Sequence, residues 1–528
     1  MPVALQVARH ASEHPRRIAV RAPGGDLSYA GLASRMEAAA ETLRGRGVGH
    51  GALAALSLAD PADLLVAVLA ADLAGATPLI CDPTWDPVRR ERIMEAVPVD
   101  VRVEIPLVRE RITVVAPDGI RTPPARDPVR RGRIVEAVPP DVDIEIPLVR
   151  ERITVVAPDG IRTPPARGPG RHERIVAAEP VSVPVPAASP SDRAWACFSS
   201  GSTGRPRAVV RTRASWTGSF PHLSTLAGIG PGDVVLVPGP LTSSLYGFAA
   251  VHALAVGATA VVPGRWSTVE LAAHLDEATA IHVVPHRLPA VLDLLEGRRG
   301  RLRTAVVGGA ALGADARERA ARAGVDVLAY YGATELSFVA ADTDGRGLRP
   351  FPEVEIQVRA APGQPFGEVW ARSPWLAEGY LAGGTGPLQI DGDGWATVGD
   401  VAEPYRTGEV LRLRGRGDGA IQTGGATVVP EDVEEVLRKA PGVGDVVVVG
   451  SPHPELGSVA TAIIEADGLR RPSRAALEEI ARGGLDAAQR PRRWYTVRSL
   501  PRTPVGKPAR GLLAARLAGG DPDIRRLT

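Results

Sequence analysis

A segment rich in glycine and hydroxyl side chains, FSSGSTGRPRAVVRT, runs from Phe198 to Thr212. Its small residues let the backbone turn tightly, so that N–H and O–H groups can point into one concavity that suits polyphosphate oxygens. Arg205 and Arg207 add positive charge beside it. The segment is not a Walker loop, because the spacing G-x-x-x-x-G-K-[ST] is absent. A flexible Gly/Ser linker is the alternative, but the apolar residues on both flanks favour a phosphate-binding loop.

Two further segments carry acids that could take part in binding. YYGATELSFVA (Tyr330 to Ala340) combines an aromatic ring, a glycine, a hydroxyl and a carboxylate, which could stack a base, bind a phosphate and hold Mg²⁺. A helix that starts at its Thr-Glu pair explains this segment equally well. GWATVGD (Gly394 to Asp400) ends in an acid that could bind a diol or cap a turn. Neither segment alone decides between these interpretations.

Lysine is almost absent from the chain, which makes its positions informative. Of 62 lysine and arginine residues, only Lys439 and Lys507 are lysine. A compact ammonium on a flexible stem suits a site that needs one small cation between two oxygen groups, whereas a guanidinium is a planar fork. Lys507, in LPRTPVGKPAR, is therefore a candidate for such a site, with chance as the alternative. Lys439 has the pattern of a solvated helix residue.

Length and composition exclude several classes of protein. A chain of 528 residues fits two or three domains, and a hydrophobic content of 44% supports a sizeable core. A net charge of +2, with no run of like charge, predicts no nucleic-acid partner. The sequence predicts no signal segment and no membrane span. The two cysteines, Cys81 and Cys197, predict neither a disulfide framework nor a zinc site, so we expect a cytoplasmic protein.

A 41-residue unit occurs twice in tandem, at Asp86–Arg126 and Asp127–Arg167, with 36 identical positions. A decayed third copy extends from Gly168 to about residue 186. Solenoid repeats need several stacked units, so two copies and a remnant indicate a recent duplication inside one connection rather than a solenoid. Within a unit, the pattern predicts a helix over Val88–Val97 and a strand over Val101–Val108. A docking element is the less favoured alternative.

Outside the repeat, helical and strand patterns alternate. Short apolar runs such as GDVVLVPGP, AIHVVPH and TAVVGG are separated by helical stretches, which is typical of parallel strands covered on both faces. From Glu353 onward, short strands separated by turns predominate. The last hundred or so residues alternate helices and strands in a small unit of their own. The sequence therefore predicts an α/β protein: a large N-terminal domain of mixed, mainly parallel sheets with helices and a β-rich subdomain, and a small α+β C-terminal domain.

In order and spacing, the segments resemble the ANL superfamily of adenylate-forming enzymes, which includes acyl-CoA synthetases, adenylation domains and luciferases. The resemblance covers essentially the whole chain except the repeat. It identifies a set of ATP- and AMP-binding positions in the phosphate loop, the YGATE segment, the end of an adenine-side strand, the ribose acid and the hinge. These positions are Ser199, Ser200, Gly201, Ser202, Thr203, Gly204, Gly309, Ala310, Ala311, Tyr331, Gly332, Thr334, Asp400 and Arg416.

The resemblance also implies catalytic roles. Lys507 would bridge the substrate carboxylate and the α-phosphate of ATP, and Glu335 would hold Mg²⁺ as the metal ligand. Thr203 and Thr334 would bind phosphate oxygens. Arg207 stands where the family's phosphate loop has a lysine, so the charge is kept but its reach differs. Fixed donors and cations aimed at the charge that develops on phosphorus would supply most of the catalysis.

The resemblance divides the chain at a hinge, into an N-terminal adenylation domain (1–414, with the duplication at 86–167) and a mobile C-terminal domain (415–528). Asp418 would be the pivot, and Gly419 replaces a second hinge acid of the family. Rotation about the pivot would remove Lys507 from the site. It would also present a loop for the pantetheine arm of CoA, formed by Thr423, Gly424 and Gly425.

An acyl pocket is implied where the family binds its acid. Its wall would consist of Ser243, Tyr246, Gly247, Val284, His286 and Gly308. Ser243 replaces a histidine found in many related synthetases, and Tyr246 is a candidate substitute. The stretch PLTSSLYGF offers no acid for a substrate ammonium, which favours a plain carboxylic acid over an amino acid.

Three functions remain open at this point. The favoured one is an acyl-CoA synthetase that uses ATP, Mg²⁺ and CoA to activate a fatty or aryl acid. The second is an acyl-AMP ligase that loads the phosphopantetheine of an acyl carrier protein. The third is a non-catalytic pseudoenzyme or scaffold, against which the presence of Lys507, Glu335 and Asp400 argues.

Overall fold

The computed structural model describes residues 2–85, 87–97, 99–104, 188–199, 207–298, 300–309, 312–360, 366–384, 386–416, 421–423, 426–454, 456–468, 472–487, 489–502 and 508–527. Predictions that fall at other positions lie outside the described residues. This applies to the second copy of the repeat, to its remnant and to the first copy beyond residue 104.

The described part contains helices on both sides of its sheets. In chain order they are α1 (Val3–Glu13), α2 (Tyr29–Arg44), α3 (Pro61–Ala74), α4 (Pro87–Ala96), α5 (Arg213–Thr217), α6 (Phe220–Ala227), α7 (Ser244–Val256), α8 (Thr268–His274), α9 (Leu288–Leu295), α10 (Ala314–Arg322), α11 (Pro430–Leu437), α12 (Arg474–Gly484) and α13 (Arg510–Ala518). Short 3-10 helices span Pro285–Arg287 and Leu381–Gly383.

The strands belong to four sheets. In chain order they are β1 (Ile18–Ala22), β2 (Gly25–Ser28), β3 (Leu53–Leu56), β4 (Thr77–Ile80), β5 (Val101–Val103), β6 (Arg193–Ser199), β7 (Arg207–Thr212), β8 (Val234–Leu236), β9 (Thr259–Val261), β10 (Ala280–Val283), β11 (Thr304–Gly308), β12 (Asp326–Ala333), β13 (Ser337–Asp342), β14 (Arg349–Pro350), β15 (Glu355–Arg359), β16 (Gly367–Arg372), β17 (Gly379–Tyr380), β18 (Gln389–Ile390), β19 (Ala396–Thr397), β20 (Asp400–Ala402), β21 (Leu413–Arg416), β22 (Ile421–Thr423), β23 (Ala426–Val428), β24 (Val443–His453), β25 (Gly457–Ala466), β26 (Arg493–Val497) and β27 (Arg525–Arg526).

The largest sheet of the described part has the strand order β14-β13-β12-β11-β10-β8-β9-β1-β2. The strands from β12 to β1 pair in parallel, and antiparallel strands close both edges. Successive side chains point to opposite faces of a strand. Val306 accordingly packs in a core shared with α3 and α7, whereas Ala305 and Val307 pack against α8, α9 and α10. The sheet is therefore covered on both faces, as the apolar runs predict.

A second sheet has the order β17-β7-β6-β4-β3-β5. Its strands β5, β3, β4 and β6 are parallel, and β7 and β17 are antiparallel to their neighbours. Strands β6 and β7 form a hairpin whose connection, residues 200–206, contains most of the predicted phosphate loop. The loop therefore starts from the carboxyl end of a strand in a mainly parallel sheet, where ligands of α/β proteins commonly bind.

A third, antiparallel sheet has the order β18-β19-β16-β20-β21, with β15 also paired to β16. This is the β-rich region predicted after Glu353. Its strand β21 reaches Arg416, which pairs with Asp400 of β20. The strand thus continues two residues past the predicted domain boundary at 414, and that boundary stays a prediction.

The C-terminal residues form a fourth sheet, β23-β22-β25-β26-β27, with β24 paired to β25. Helices α11 and α12 pack on one face of it, and α13 packs on the other. The predicted fold class is confirmed: the structure combines large, mainly parallel sheets with a β-rich sheet and a smaller C-terminal α+β unit.

Local signals set the helix ends. Ser28 caps α2, because its Oγ accepts a hydrogen bond from the N–H of Gly31 at 3.1 Å. Asp60 caps α3 in the same way. Gly75 ends α3 with a φ of +82°, a conformation that glycine adopts without a steric penalty.

The first copy of the repeat begins as predicted. Its helix is α4 (Pro87–Ala96), and its strand β5 (Val101–Val103) pairs in parallel with β3. The start of the repeat therefore belongs to the second sheet rather than to a separate solenoid.

Candidate active site

The carboxyl ends of β11 and β12 meet at one edge of the large sheet. Strand β11 ends at Gly308, and Gly309 follows with a φ of +96°, which favours glycine. A Cβ atom on Gly308 would lie 2.1 Å from Cζ of Tyr330, so the tyrosine ring packs directly on this glycine. The next predicted nucleotide-binding positions, Ala310 and Ala311, lie outside the described residues.

A tight turn joins β12 to β13. The N–H of Leu336 donates to the carbonyl of Ala333 at 3.2 Å, and Ser337 has a φ of +63°. At the preceding Gly332 the pairing register shifts, and a Cβ atom there would lie only 2.0 Å from the carbonyl oxygen of Ser337. The structure therefore shows strand, turn and strand here. The alternative interpretation of a helix that starts at the Thr-Glu pair is wrong.

Both side chains of the turn, Thr334 and Glu335, have defined partners. Oγ1 of Thr334 is hydrogen-bonded to Oγ of Ser244 at 2.9 Å. Glu335 is 5% exposed, and its Oε1 accepts from the hydroxyl of Tyr380 at 3.1 Å. Burial and the charge of Glu335 raise the pKa of Tyr380, so this hydroxyl stays protonated and donates. The carbonyl of Glu335 accepts from the N–H of Ala377 at 2.8 Å.

A buried arginine that was not among the predicted site residues lies behind this turn. Arg211 of β7 donates through Nη1 to the carbonyl of Thr334 at 2.9 Å. Its Nη2 donates to the carbonyls of Ser215, at 2.8 Å, and Trp375. The only sequence signal was an arginine inside an apolar strand, which did not indicate what it binds. Ser244 and Tyr380 were missed as well.

Asp400 and Tyr331 bring two predicted nucleotide-binding segments together. The hydroxyl of Tyr331 on β12 donates to Oδ2 of Asp400 on β20 at 2.9 Å, across 69 positions of sequence. Arg416 pairs with Asp400 through the backbone of β21, and its side chain lies outside the described part. The acid predicted to bind the ribose, an aromatic residue and the predicted hinge strand therefore converge at one place.

The residues that flank the predicted phosphate loop lie near the turn. Ser199 pairs with Arg207 where the β6–β7 hairpin closes, and Tyr380 pairs with Val209 of β7. The charge of Arg207 opposes the rise in the pKa of Tyr380, which places this cation near the Glu335 contact. The loop positions Ser200, Gly201, Ser202, Thr203 and Gly204, and the side chain of Ser199, lie outside the described residues.

Tyr246 of the predicted acyl pocket lies beside Tyr330, which was not among the predicted wall residues. Tyr246 is 2% exposed, and its ring covers Gly239, where a Cβ atom would lie 2.0 Å from Cε2. Burial raises the pKa of Tyr246 to about 12. Burial, and then the neighbouring Tyr246, raise the pKa of Tyr330. The structure thus brings Tyr246 close to Tyr330 and to the Gly308 that Tyr330 covers.

The other predicted acyl-pocket positions differ from one another in burial and in contacts. Gly247 contacts the ring of Trp195, which lies 2.8 Å from where a Cβ atom would be, and Val284 is buried. Ser243 precedes α7 without a capping hydrogen bond from its side chain. His286 is exposed on the 3-10 helix after β10. His286 therefore differs in burial from Tyr246 and Val284.

The predicted CoA-side and catalytic residues of the C-terminal region are only partly described. Thr423 ends β22, where it pairs with Ala426 and with Gly457. Asp418, Gly424, Gly425 and Lys507 lie outside the described residues. An ion pair at 3.2 Å between Arg414 of β21 and Asp432 of α11 links the third sheet to the C-terminal unit.

Comparison with known families decides the affiliation. Residues 7–381 match the model of the "AMP-binding enzyme" family, and residues 432–507 match that of the "AMP-binding enzyme C-terminal domain". The chain belongs to the AMP-binding enzyme family. The family resemblance found in the sequence motifs is therefore confirmed.

Curated relatives of this AMP-binding enzyme are named as CoA ligases. An uncharacterized acyl-CoA ligase of Bacillus subtilis, YhfT, is 32% identical over 345 residues, which cover 62% of this chain and 69% of the relative. A probable 2-succinylbenzoate–CoA ligase of Mycobacterium tuberculosis is 29% identical over 357 residues, which cover 62% of this chain and 85% of that protein.

Solved structures of similar proteins confirm the fold. An o-succinylbenzoate CoA synthetase from Bacillus subtilis, in complex with its acyl-adenylate intermediate, superposes with a TM-score of 0.74 at 21% identity, covering 96% of this chain and 97% of the other. MatB from Rhodopseudomonas palustris with bound ATP has the same TM-score at 19% identity, with 98% and 99% covered. Among the described residues of this AMP-binding enzyme, no helix is both long and apolar enough to cross a bilayer.

Proposed function

We propose that this AMP-binding enzyme is an acid–CoA ligase. A carboxylate oxygen of the acid attacks the α-phosphorus of ATP and displaces pyrophosphate, which gives an acyl adenylate. The sulfur of CoA then attacks the acyl carbon and displaces AMP. The names of the curated relatives support this reaction. The structural observation that carries it is the contact of Tyr331 with Asp400, which joins two nucleotide-binding motifs.

We assign the nucleotide contacts to residues that converge at the edge of the large sheet. Asp400 offers carboxylate oxygens to the ribose hydroxyls, and Tyr331, bonded to it, offers a ring face to the adenine. Arg207 and the loop that it closes bind the phosphates. The hydrogen bond from Tyr331 holds Asp400 in place before the reaction, so little reorganisation of this acid is needed.

Glu335 fits the requirements of a ligand for Mg²⁺. Its Oε1 accepts from Tyr380, and among the described residues Oε2 accepts no hydrogen bond and forms no ion pair. Carboxylate oxygen is a preferred ligand of this hard cation, which usually takes its other ligands from phosphates and water. That mode agrees with the described residues, which contain no group of three or more metal-ligating side chains. Bound Mg²⁺ would neutralise charge on the phosphates, while the turn keeps Glu335 in place.

The substrate acid would bind beside the two tyrosines. The apolar residues around Tyr246 and Tyr330 would contact the body of a fatty or aryl acid. Lys507, by its motif, would place one ammonium between the acid and the α-phosphate. The loop that begins at Thr423 would accept the pantetheine arm once the C-terminal unit has rotated about Asp418.

The test is release of AMP and pyrophosphate from Mg-ATP across a panel of fatty and aryl acids, with and without CoA. The chain offers a matched control, because its only other lysine, Lys439, is exposed at the end of α11. We expect acid- and CoA-dependent turnover that falls at least about a hundredfold in Lys507→Ala, as is usual when a preorganised charge on the reacting groups is removed. Lys439→Ala should retain the activity of the wild type.

Other outcomes would redirect the proposal. Pyrophosphate release that CoA does not accelerate, but a pantetheinylated carrier protein does, would favour carrier-protein loading. Equal activity of the two lysine variants would contradict the role of Lys507. A folded protein without acid-dependent turnover would contradict the ligase proposal and favour the non-catalytic pseudoenzyme.

A further inference from the structure

Arg211 is a buried cation whose described side-chain hydrogen bonds all go to carbonyl oxygens, and its guanidinium lies 5.7 Å from the ring centre of Trp216. Its side chain is 2% exposed and donates to the carbonyls of Thr334, Ser215 and Trp375. No carboxylate of the described residues forms an ion pair with it. Burying a charge is unfavourable unless it is well compensated, and a hydrocarbon side chain would fill the same space without that penalty. The arginine therefore needs a reason other than packing.

A second buried arginine shows the usual arrangement. Arg213, two residues further along the chain, is 4% exposed and forms an ion pair with buried Asp72. Arg213 thus has its counter-charge within the fold. Arg211 has no such ion pair among the described residues: burial lowers its pKa to about 10, and the neighbouring Cys197 and Glu335 oppose that shift. Arg211 remains protonated at neutral pH, close to the proposed metal ligand.

The hydrogen bond to Thr334 acts directly on Glu335. The carbonyl of Thr334 and the N–H of Glu335 belong to one planar peptide unit. A donor fixed on that carbonyl therefore also fixes the direction of the N–Cα bond of Glu335. Arg211 is rigid in turn, because the carbonyls of Ser215 and Trp375 hold its other terminal nitrogen.

We propose that Arg211 is a positioning residue for the divalent-cation site. Its bond to the Thr334 carbonyl orients the Glu335 carboxylate, and its positive charge lies near that carboxylate. This inference rests on the proposed function, because it assigns Arg211 a role in the binding of Mg²⁺ together with ATP.

Two substitutions separate the two effects of Arg211. Arg211→Lys keeps a charge but loses the planar fork that bonds three carbonyls, and Arg211→Met loses both. Arg213→Lys is the matched control, because it perturbs a buried arginine of the same region that does not contact the turn. Cation affinity is measured by electron paramagnetic resonance of Mn²⁺, titrated in the presence of a non-hydrolysable ATP analogue. The Mg²⁺ dependence of pyrophosphate release and the thermal midpoint are recorded for each variant.

We expect Arg211→Met to raise the dissociation constant of Mn²⁺ and the half-saturating Mg²⁺ concentration about tenfold, as for loss of a charge-assisted contact. Arg211→Lys should give a smaller rise, and in both variants the KM for the acid should change less than twofold. Arg213→Lys should lower the thermal midpoint without a change in Mn²⁺ affinity. If Arg211 had a purely structural role, its variants would behave like this control, with a lower thermal midpoint and unchanged Mn²⁺ affinity.

Wild-type Mn²⁺ affinity in folded Arg211→Lys and Arg211→Met would overturn the inference, even if the enzyme turns over as proposed. The Mn²⁺ titration needs no turnover. A wild-type protein that binds Mn²⁺ with the analogue, but activates no acid, would therefore contradict the proposed function and still decide the role of Arg211.

Discussion

The duplicated unit permits a matched pair of deletions that tests which copy fits the fold. Removal of residues 127–167 leaves the first copy, and removal of residues 86–126 leaves the second. The two products have the same length and the same junctions, and they differ at five positions only. Any difference in their stability therefore arises from those five residues.

Two of the five positions form an ion pair in the first copy. Arg102 of β5 donates to both carboxylate oxygens of Glu91 in α4, with Nη1 at 2.9 Å from Oε2. The second copy has Gly132 and Asp143 at these positions, so the pair is lost. Glycine in the interior of a helix costs about 1 kcal/mol. Because Glu91 is 57% exposed, loss of the pair adds only about 0.5 kcal/mol.

Three further positions are buried in the first copy. Met94 and Val103 are 5% and 0% exposed, and the second copy has Val135 and Ile144 in their place. The smaller Val135 would leave a cavity, which lowers the free energy of unfolding by about 1 kcal/mol. The larger Ile144 would add a methylene at a fully buried position, which lowers the free energy of unfolding by about another 1 kcal/mol. These two positions and the two ion-pair positions together should lower the free energy of unfolding of the second-copy product by about 3.5 kcal/mol. Buried Val99 is not included in this sum.

The assay compares the thermal and urea midpoints of the two deletion products. We expect the product that retains the second copy to unfold about 3.5–7 °C lower, since each kcal/mol shifts the midpoint of a large domain by only a degree or two. Both products are scanned at the same rate, because a multidomain chain need not unfold reversibly. Equal midpoints, or a more stable second-copy product, would refute the reasoning from α4 and β5.

Three other predictions follow from single contacts. Gly332→Ala places a Cβ atom against a backbone carbonyl and should lower the free energy of unfolding by about 3 kcal/mol in urea titrations, whereas Gly313→Ala, with open space around it, should have little effect. Tyr331→Phe removes the bond to Asp400 and should raise the KM for ATP about fivefold, and an unchanged KM would argue against this ribose site. Burial lowers the pKa of His282 to about 3, so the folded state excludes a proton that the unfolded chain binds below about pH 6.5. Stability should accordingly fall by roughly 2–3 kcal/mol between pH 6.5 and 4.5, and His282→Gln should reduce that fall.

The sequence predicted the elements of the fold well because their signals are local. A serine before an amphipathic run marks the start of α2, and the short apolar runs became β8 to β11. The pairing order of the strands depends on contacts between distant segments. Nothing local indicates that β17, a two-residue strand, pairs with β7.

Site residues could be proposed from the sequence where one segment carries the whole signal, whereas side-chain contacts shared by two distant segments were missed. Ser244 was not predicted because its partner, Thr334, lies 90 positions away. Arg211 bonds the same residue across 123 positions, and Tyr380 bonds Glu335 across 45. Hydroxyl and arginine side chains have many possible partners, so only the folded chain shows which contact each one makes.

The glycines of the predicted motifs show that a sequence motif alone does not identify a binding site. Gly308 contacts the ring of Tyr330, and Gly332 contacts the carbonyl of Ser337, so both glycines are required by the packing of β12 even without a ligand. A sheet edge with the same glycines could exist in a protein that binds nothing. What makes this edge a candidate active site is the set of polar contacts made from outside it, by Asp400 to Tyr331 and by Tyr380 to Glu335. Substitutions at the glycines should therefore affect stability first, whereas loss of the polar contacts should affect nucleotide and metal binding in a protein that still folds.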